Sequence, residues 1–485
     1  MLAILLALSI THGVATGDVS ATEAVVWARA SAPAEMLVEL DTDARFPHPR
    51  TFRAPAVADT DFTAQVSLSG LEPGTAYHYR VRFSDGSTES DPATGSFRTA
   101  PPSSAAAPVR FVFMGDLGGH GYCREEREGY AVFAKMEALE PDFLVANGDM
   151  IYADSDCPPE RAGGGRNVPG DFPKIDAPEV DWTDADEVRE VYLAHWRYNR
   201  ADAHFQHLLA RVPMYVQWDD HEVINDFGAP WPALTAANER KGYPNLVREG
   251  LRALFDFHPL KRDPSEPNRI YRSFRWGRDV ELFLIDARSY RSLNDLSDRP
   301  VNEKTLLGRE QLHWLEAGLS RSEATWKIVS TDVPLSIPTG ASAELFGRDA
   351  FADGTESNYS SRTGFESELR ELLDHLDREN VRNVVFVATD VHFATSLRYE
   401  VDVDGDGDEL LFHELVSGPL SAGLAVARAP DPTFRPRILY AEGEIFNFGF
   451  VRVETGDDGV SHLIADIRDE TGAVRFGSIL NLEAR

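Results

Sequence analysis

Five short apolar segments of the sequence each end in an acidic residue or in an acid close to a histidine. The residues at these ends are Asp116, Asp149, Asp220 with His221, Asp332, and Asp390 with His392. Apolar segments of this length, bounded by turn-forming residues, predict β-strands. Carboxylates that lie close together repel one another and take up protons unless cations hold them. Acids and histidines at several strand ends therefore predict a metal site.

Two of these acids belong to one predicted strand–helix–strand unit. Residues 111–114 and 143–146 are predicted strands, and the apolar spacing over 130–139 predicts a helix between them. Parallel strands joined in this way end at the same sheet edge, where open α/β sheets bind ligands. A turn of purely structural use would explain either Gly-Asp pair alone. Two such pairs, the second followed by Tyr152, favour a functional site.

Similar patterns continue along the chain. Residues 11–100 consist of short β-prone segments between turns, which predicts an all-β region, and 70–79 (GLEPGTAYHY) resemble the tyrosine corner of fibronectin type III sandwiches. Residues 101–108 (PPSSAAAP) predict a linker. Beyond it, predicted strands alternate with predicted helices. These helices cover 185–210, 245–256, 307–319 and 365–379, and the strands that lead to the later acids cover 212–218, 326–330 and 384–388.

The segments around the first two acids resemble a known group of enzymes. Residues 116–118 (DLG) and 148–154 (GDMIYAD) are similar to the metal motifs of purple acid phosphatases, and 11–18 (THGVATGD) are similar to the opening of PhoD-like enzymes. The sequence as a whole resembles the PhoD-like alkaline phosphatases of the metallophosphoesterase superfamily. This resemblance implies an α/β fold in which a small fibronectin III-like β-sandwich (1–100) and the linker precede a four-layer α/β/β/α metallophosphoesterase catalytic domain over 109–485.

The resemblance also implies an activity and the residues that perform it. The activity is hydrolysis of phosphate monoesters, diesters or both, by a hydroxide that bridges two metals. His221 would be the general acid that protonates the leaving oxygen. The implied ligands of the first metal are Asp116, Asp149, Tyr152 and His392, and those of the second metal are the bridging Asp149 with Asp220 and Asp390. Asp332 is a further candidate for the second metal.

The ligand types indicate which metals would bind. A phenolate from Tyr152 favours Fe³⁺ at the first site. Asp220 and Asp390 stand where many metallophosphoesterases carry Asn and His, and hard anionic oxygens favour Ca²⁺, or Mg²⁺ or Mn²⁺, at the second site. A dedicated phospholipid or nucleotide phosphodiesterase is an alternative enzyme. A non-catalytic binding protein with a vestigial site is disfavoured because the acids and His221 are all present.

Composition and charge narrow the possible partners. The chain of 485 residues has a net charge of −31, which argues against a nucleic-acid-binding surface and favours a small phosphate-ester substrate. The apolar segment 2–9 is too short to span a bilayer and is incomplete as a signal peptide. We nevertheless expect a periplasmic or extracellular protein. The sequence predicts no transmembrane anchor and leaves the oligomeric state open.

Two further features have more than one interpretation. Cys123 and Cys157 follow the first and second Gly-Asp pairs, so their loops leave the same sheet edge and a disulfide is possible. Two free thiols are equally consistent with the sequence. Alternate residues over 402–408 are aspartates, as in an EF-hand loop, but the closing glutamate and flanking helices are missing. A hairpin turn is the favoured interpretation.

Overall fold

A computed structural model of the protein describes residues 7–228, 243–292, 297–298, 303–340, 349–354 and 364–485. Within these residues the chain forms twenty strands and six α-helices. The strands are β1 Ile10–Gly17, β2 Glu23–Ala30, β3 Ala34–Asp41, β4 Arg50–Ala56, β5 Thr63–Ser69, β6 Ala76–Ser84, β7 Ala93–Arg98, β8 Val109–Met114, β9 Phe143–Ala146, β10 Met214–Val216, β11 Arg272–Trp276, β12 Val280–Leu284, β13 Trp326–Ser330, β14 Val384–Ala388, β15 Ala394–Val401, β16 Leu410–Val416, β17 Arg437–Glu442, β18 Asn447–Thr455, β19 Ser461–Asp469 and β20 Leu480–Glu483. The helices are α1 Val132–Glu137, α2 Ala185–Arg200, α3 Ala203–Leu209, α4 Tyr243–Phe257, α5 Arg309–Arg321 and α6 Glu366–Arg378.

Two large mixed sheets form the centre of the molecule. The nine-stranded sheet has the order β20-β19-β18-β8-β9-β10-β1-β2-β5, and the seven-stranded sheet has the order β11-β12-β13-β14-β16-β15-β17. Strands β8, β9 and β10 are parallel neighbours, as are β12, β13, β14 and β16. The predicted strand–helix–strand unit is therefore confirmed. The carboxyl ends of its strands lie at one edge of the nine-stranded sheet.

The central strands are apolar on both faces because each sheet is covered on both sides. Along β8, Phe111 and Phe113 point into a core shared with the seven-stranded sheet, whereas Val112 and Met114 pack on the other side with α1, α2, α3 and α4. Helices α5 and α6 cover the outer face of the seven-stranded sheet. This arrangement is the predicted four-layer α/β/β/α architecture, and it explains why the sequence shows continuous apolar segments.

The N-terminal strands divide between two sheets. Strands β3, β4, β6 and β7 form a separate four-stranded sheet, whereas β1, β2 and β5 extend the nine-stranded sheet. The link is the parallel pairing of Gly17 with Met214, and a Cβ atom at Gly17 would lie 2.7 Å from the carbonyl oxygen of Met214. The predicted tyrosine corner is present, since the Glu72 amide donates to Tyr77 Oη at 2.9 Å. The division at 101–108 remains a prediction.

Two smaller points complete the fold. Residues 402–409 connect the antiparallel strands β15 and β16, and aspartate side chains of this segment accept hydrogen bonds from the Gly405, Asp406 and Asp408 amides. The interpretation of this segment as a hairpin turn is confirmed.

Among the helices within the described ranges, none combines the length and the apolar character that a bilayer crossing requires.

Candidate active site

The ends of the two large sheets are held together by buried amide side chains. Asn147 follows β9 and donates through Nδ2 to Ser330 Oγ at 2.9 Å and to the carbonyl oxygens of Thr331 and Val387 at 3.2 Å. Gln217 follows β10 and donates through Nε2 to the carbonyl oxygens of Ile285 and Ser330, at 2.6 and 2.9 Å. The strand ends of one sheet are thereby fixed against those of the other, and the predicted acids meet between them.

Four of the predicted site residues have left-handed backbone conformations. The φ angles are 62° at Asp116, 53° at Asp149, 75° at Asp390 and 59° at His392. Asp and His tolerate this region better than most residues, but it remains uncommon and concentrates at functional sites. These residues follow β8, β9 and β14 by two to four residues, where the positive φ turns the chain sharply. The turn keeps the side chain at the sheet edge instead of continuing the strand.

One group of possible ligands contains Asp116, Asp149 and His392, which offer ligand atoms within 4.8 Å of one another. His392 Nε2 lies 3.6 Å from Asp116 Oδ1 and 2.9 Å from Tyr152 Oη. The Nδ1 atom of His392 donates to the carbonyl oxygen of Gly423. This contact is typical of metal-binding histidines because it leaves Nε2 as the coordinating atom.

Further groups share members with the first. Asp149, Asp220 and His221 form one, and Asp219, Asp220 and Asp390 form another, each with ligand atoms within 4.8 Å of one another. Asp149 thus belongs to a group on each side of the site, as a bridging carboxylate must. These shared members, with the contact between Tyr152 and His392, place all six predicted metal ligands close together.

The electrostatics of these carboxylates fit bound cations. Asp116 is fully buried, and neither of its carboxylate oxygens has a hydrogen-bond partner within the described part of the chain. Burial raises the pKa of Asp116 to about 8, and burial together with neighbouring carboxylates raises the pKa of Asp149, Asp220 and Asp390. Buried acids without partners are costly in a protein unless a cation offsets them.

His221 is held by an acid that the motif contains but that had no assigned role. His221 Nδ1 lies 2.6 Å from Asp154 Oδ1, and the Asn225 amide donates to Asp154 Oδ2 at 2.8 Å. Burial alone would lower the pKa of His221, but the carboxylates of Asp154, Asp220 and Glu222 together outweigh burial and raise this pKa to about 9. The imidazole therefore carries a proton at neutral pH, which a general acid requires.

Glu222 positions the two loops that carry the predicted ligands. Its buried carboxylate accepts hydrogen bonds from the amides of Asp149 at 2.9 Å, Met150 at 2.7 Å and Asp219 at 2.8 Å. Burial raises the pKa of Glu222 to about 7 although these amides oppose the shift. The sequence shows Glu222 beside His221 but gives no sign of its contacts with Asp149 and Met150, because these join segments more than 70 residues apart.

Asp332 lies beside a buried arginine. Arg288 Nε is 3.4 Å from Asp332 Oδ2 and donates to Asp219 Oδ1 at 2.6 Å, and Arg288 also contacts Asp349. Burial raises the pKa of Asp332 to about 7. The guanidinium competes with a metal for this carboxylate, so the role of Asp332 as a ligand remains a prediction.

His120 is a site residue that the sequence reasoning missed. Its ring centroid lies 5.3 Å from that of Tyr152, 5.6 Å from that of His392 and 5.9 Å from that of His221. It belongs to the loop after β8, four residues beyond Asp116. Its position in this loop was the one available signal.

The loops after β8 and β9 are joined covalently. Cys123 and Cys157 form a disulfide, with their Cα atoms 5.7 Å apart. Of the two interpretations that the sequence left open, the bridge is confirmed. The bridge encloses Tyr152 and Asp149 in its loop and begins seven residues after Asp116, so it braces the segments of the first ligand group.

A cavity of about 350 Å³ opens onto these groups. Its lining includes Asp149, Asp220, His221, Asp390 and His392. Its lining also includes His120, residues 423–425 and Arg428, and the Gly423 amide donates to His120 Nδ1 at 3.4 Å. The space suits a small ligand.

Comparisons with sequence families and known proteins agree with this arrangement. The sequence model of a family described as PhoD-like phosphatase matches residues 114–454, and the model of its N-terminal domain matches residues 6–101. Alkaline phosphatase D of Bacillus subtilis (strain 168) is 26% identical over 376 residues, which are 74% of this chain and 58% of that protein. An acid phosphatase of Aspergillus ficuum is 22% identical over 60% of this chain and 57% of its own length. The matches thus span less than two thirds of either relative.

Solved structures support the fold. The structure of PhoD superposes with a TM-score of 0.73 at 22% identity and covers 98% of this chain and 92% of its own. A purple acid phosphatase from yellow lupin seeds superposes with a TM-score of 0.63 at 13% identity, over 98% of this chain and 74% of its own. At such identities the similarity establishes the shared architecture.

Proposed function

Because the chain belongs to the PhoD-like phosphatase family, we propose that it hydrolyses phosphate esters with the help of bound metal ions. The observation that carries the proposal is the meeting of the buried Asp116, Asp149 and Asp220 with the half-buried Asp390. Asp149, Asp220 and Asp390 line the cavity. Asp116 Oδ1 and Oδ2, Asp220 Oδ1 and Asp390 Oδ2 have no hydrogen-bond partners among the described residues. Without cations these buried carboxyl groups would take up protons, because burial raises their pKa values, so bound cations would explain why acids are placed here.

Two metals fit the donor groups. The first would be held by Asp116, Asp149, Tyr152 and His392, and the second by Asp149, Asp220 and Asp390. Bound there, the cations would supply Lewis acidity and stabilise the negative charge that develops on the phosphoryl oxygens. Asp149 would serve both.

His221 would act as the general acid. Asp154 fixes its ring through Nδ1 and favours its protonated form, so Nε2 holds a proton that it can give to the leaving oxygen. The backbone amide of His221 also donates to Asp149 Oδ1 at 3.1 Å. The proton donor and the bridging carboxylate therefore keep a fixed separation.

The donor types support the metals inferred from the sequence. Burial and nearby carboxylates raise the pKa of Tyr152 well above its ordinary value, so only a strongly acidic cation such as Fe³⁺ would convert it to phenolate. The second site offers carboxylate oxygens, which suit Ca²⁺, with Mg²⁺ or Mn²⁺ as alternatives. We propose Fe³⁺ at the first site and Ca²⁺ at the second.

Three wider proposals accompany the activity. Residues 1–100 would form an N-terminal domain, 101–108 a linker and 109–485 the catalytic domain. The substrate would be a small phosphate ester, a monoester or a diester. The protein would work outside the cytoplasm, in the periplasm or beyond the cell, and the disulfide supports this location because such bonds persist in oxidising compartments.

The function is tested with purified protein. Elemental analysis should find at least two metal ions per chain, chelation should abolish hydrolysis, and Fe³⁺ with Ca²⁺ should restore it better than Mg²⁺ or Mn²⁺. A panel of aryl monoesters and diesters at alkaline pH should show turnover. A metal-loaded protein that hydrolyses none of these esters would contradict the proposed function.

A further inference from the structure

Given the proposed phosphoesterase function, on which this step rests, the charge of the cavity wall raises a question of specificity. We propose that Arg428 binds a second negative charge on the substrate and makes the enzyme prefer esters that carry one. The first negative charge, which every phosphate ester has, would face the metals. Arg428 is thus a specificity-determining residue in the lining of the cavity.

The first observation is the charge distribution in the cavity. Among the described residues that line it, the aspartates are Asp149, Asp220, Asp226, Asp349 and Asp390, and Arg428 is the sole arginine or lysine. The chain as a whole has 79 acidic against 48 basic side chains. A guanidinium at this position is therefore unusual for the surroundings, and an incoming anion would find it beside the metal site.

The second observation concerns the contacts of Arg428 with the described residues. Its guanidinium makes no hydrogen bond and no ion pair with any residue in the described ranges, and its nearest aromatic contact is the Phe393 ring, 5.9 Å from Cζ to the centroid. Arg288 and Arg291, the buried arginines nearby, both contact Asp349. In so acidic a protein, a half-buried arginine without a carboxylate partner has its donors available for a ligand.

The third observation is that the segment carrying Arg428 is anchored to the site. The carbonyl oxygen of Gly423 accepts from His392 Nδ1, and the Ala425 amide donates to the carbonyl oxygen of His392 at 3.2 Å. The Glu444 amide donates to the carbonyl oxygen of Ala425 at 2.8 Å. Beyond Arg428, the Asp431 amide donates to the carbonyl oxygen of Ser336 at 2.7 Å. The backbone that carries Arg428 is therefore held by hydrogen bonds before and after it.

The chemistry of the ligand follows from the guanidinium. Its planar donors match the paired oxygens of a phosphate or a carboxylate, and such charge-assisted contacts are stronger than neutral ones. A phosphate monoester is a dianion at alkaline pH, whereas a diester is a monoanion. The second charge could thus come from the phosphoryl group itself or from a carboxylate elsewhere in the substrate.

The experiment compares three substrates that share one aryl leaving group. They are the monoester, its methyl diester, and a diester whose alkyl group carries a carboxylate. We expect Arg428→Ala to lower kcat/KM for the monoester roughly ten- to hundredfold, mainly through KM, and to change the methyl diester by less than about threefold. Arg428→Lys should keep part of the preference because a lysine retains the charge but not the planar fork.

The remaining arms locate the charge and control for it. If the carboxylate diester loses as much activity as the monoester, Arg428 binds a second charge of either kind. If only the monoester loses activity, Arg428 binds the phosphoryl group. Both results support the proposal. Arg437→Ala removes an exposed arginine of β17 that does not line the cavity and should change nothing. Calorimetric affinity for inorganic phosphate should fall about as much as the monoester KM rises.

Equal losses of kcat/KM on all three substrates would overturn the role of Arg428. So would the absence of a loss on both substrates that carry a second negative charge, the monoester and the carboxylate diester. If the metal-loaded wild type turns over no ester, the proposed function fails separately. In that case the affinity for inorganic phosphate is the remaining test of Arg428. An unchanged affinity in Arg428→Ala would overturn the inference as well.

Discussion

Removal of the disulfide should destabilise the protein and weaken its metal binding together. The perturbation is the double substitution of Cys123 and Cys157 by serine. The bridge joins the loop after Asp116 to the loop that carries Asp149 and Tyr152. Without it, these two loops are held by noncovalent contacts only, such as the hydrogen bond from the Leu117 amide to the carbonyl oxygen of Asp149, at 2.7 Å.

The size of the effect follows from the length of the closed loop. The two cysteines are 34 residues apart. The chain-entropy relation gives about 13 cal/mol/K for a loop of this length, or about 3.8 kcal/mol near room temperature. An unfolding entropy of about 2.1 cal/mol/K per residue amounts to about 1 kcal/mol/K for 485 residues. If the chain unfolds as one unit, the Tm should fall by about 4 °C.

The assay is thermal unfolding of the wild type and the double variant, each with and without a reductant, first chelated and then loaded with metal. We expect the chelated variant to unfold about 4 °C below the oxidised wild type. Its Tm should not change when the reductant is added. Metal should raise the Tm of the variant less than that of the wild type, because its ligand loops are less constrained.

Two results would refute this reasoning. Two free thiols in denatured, unreduced wild type would show that the bridge does not form. Equal stabilisation of both proteins by metal would show that the bridge does not brace the ligand loops, even if the chelated variant is less stable.

Four further predictions concern the site. Asp149→Ala should abolish hydrolysis and release both metals, and elemental analysis with a normal metal content would contradict its bridging role. His221→Ala should retain metal but slow esters of poor leaving groups more than activated aryl esters, by roughly 10²–10⁴-fold for the former; an equal loss on both would contradict the acid role. Because His221 must be protonated to act, activity should fall as pH rises through about 9, and Asp154→Asn should move this fall to lower pH. An unchanged pH profile in Asp154→Asn would show that Asp154 does not set the pKa of His221. If Fe³⁺ binds Tyr152, the protein should be coloured and Tyr152→Phe should bleach it, whereas a colourless, active wild type with stoichiometric iron would exclude the phenolate ligand.

Local pattern was sufficient for the elements around the site. The predicted strands 326–330 and 384–388 coincide with β13 and β14, because their apolar residues are buried on both faces and polar turn residues follow. The strand predicted over 212–218 is shorter in the structure, Met214–Val216, although Pro213 and Gln217 on either side of it still make backbone hydrogen bonds to β9. Strand ends that carry Asp or His were visible for the same reason: a turn must follow a buried strand.

Contacts between distant segments were not visible in the sequence. The hydrogen bonds of Glu222 to the Asp149 loop, and the approach of His120 to His392, depend on how the two sheets pack. The pairing of β1 with β10 likewise joins the N-terminal strands to the large sheet through a single close approach at Gly17. None of these contacts has a characteristic spacing along the chain.

The sequence by itself determined which residue types end the strands, and hence the carboxylates and histidines available to bind metal and move a proton. Backbone periodicity and turn chemistry are local, so they can be read without a structure. Only the tertiary structure decided that Asp149 belongs to two ligand groups and that Cys123 and Cys157 are joined. It also decided that Arg428 lines the cavity with no hydrogen-bond or ion-pair partner among the described residues. Each of these depends on distances through space between residues far apart in the chain, which packing of the two sheets sets and local propensity does not.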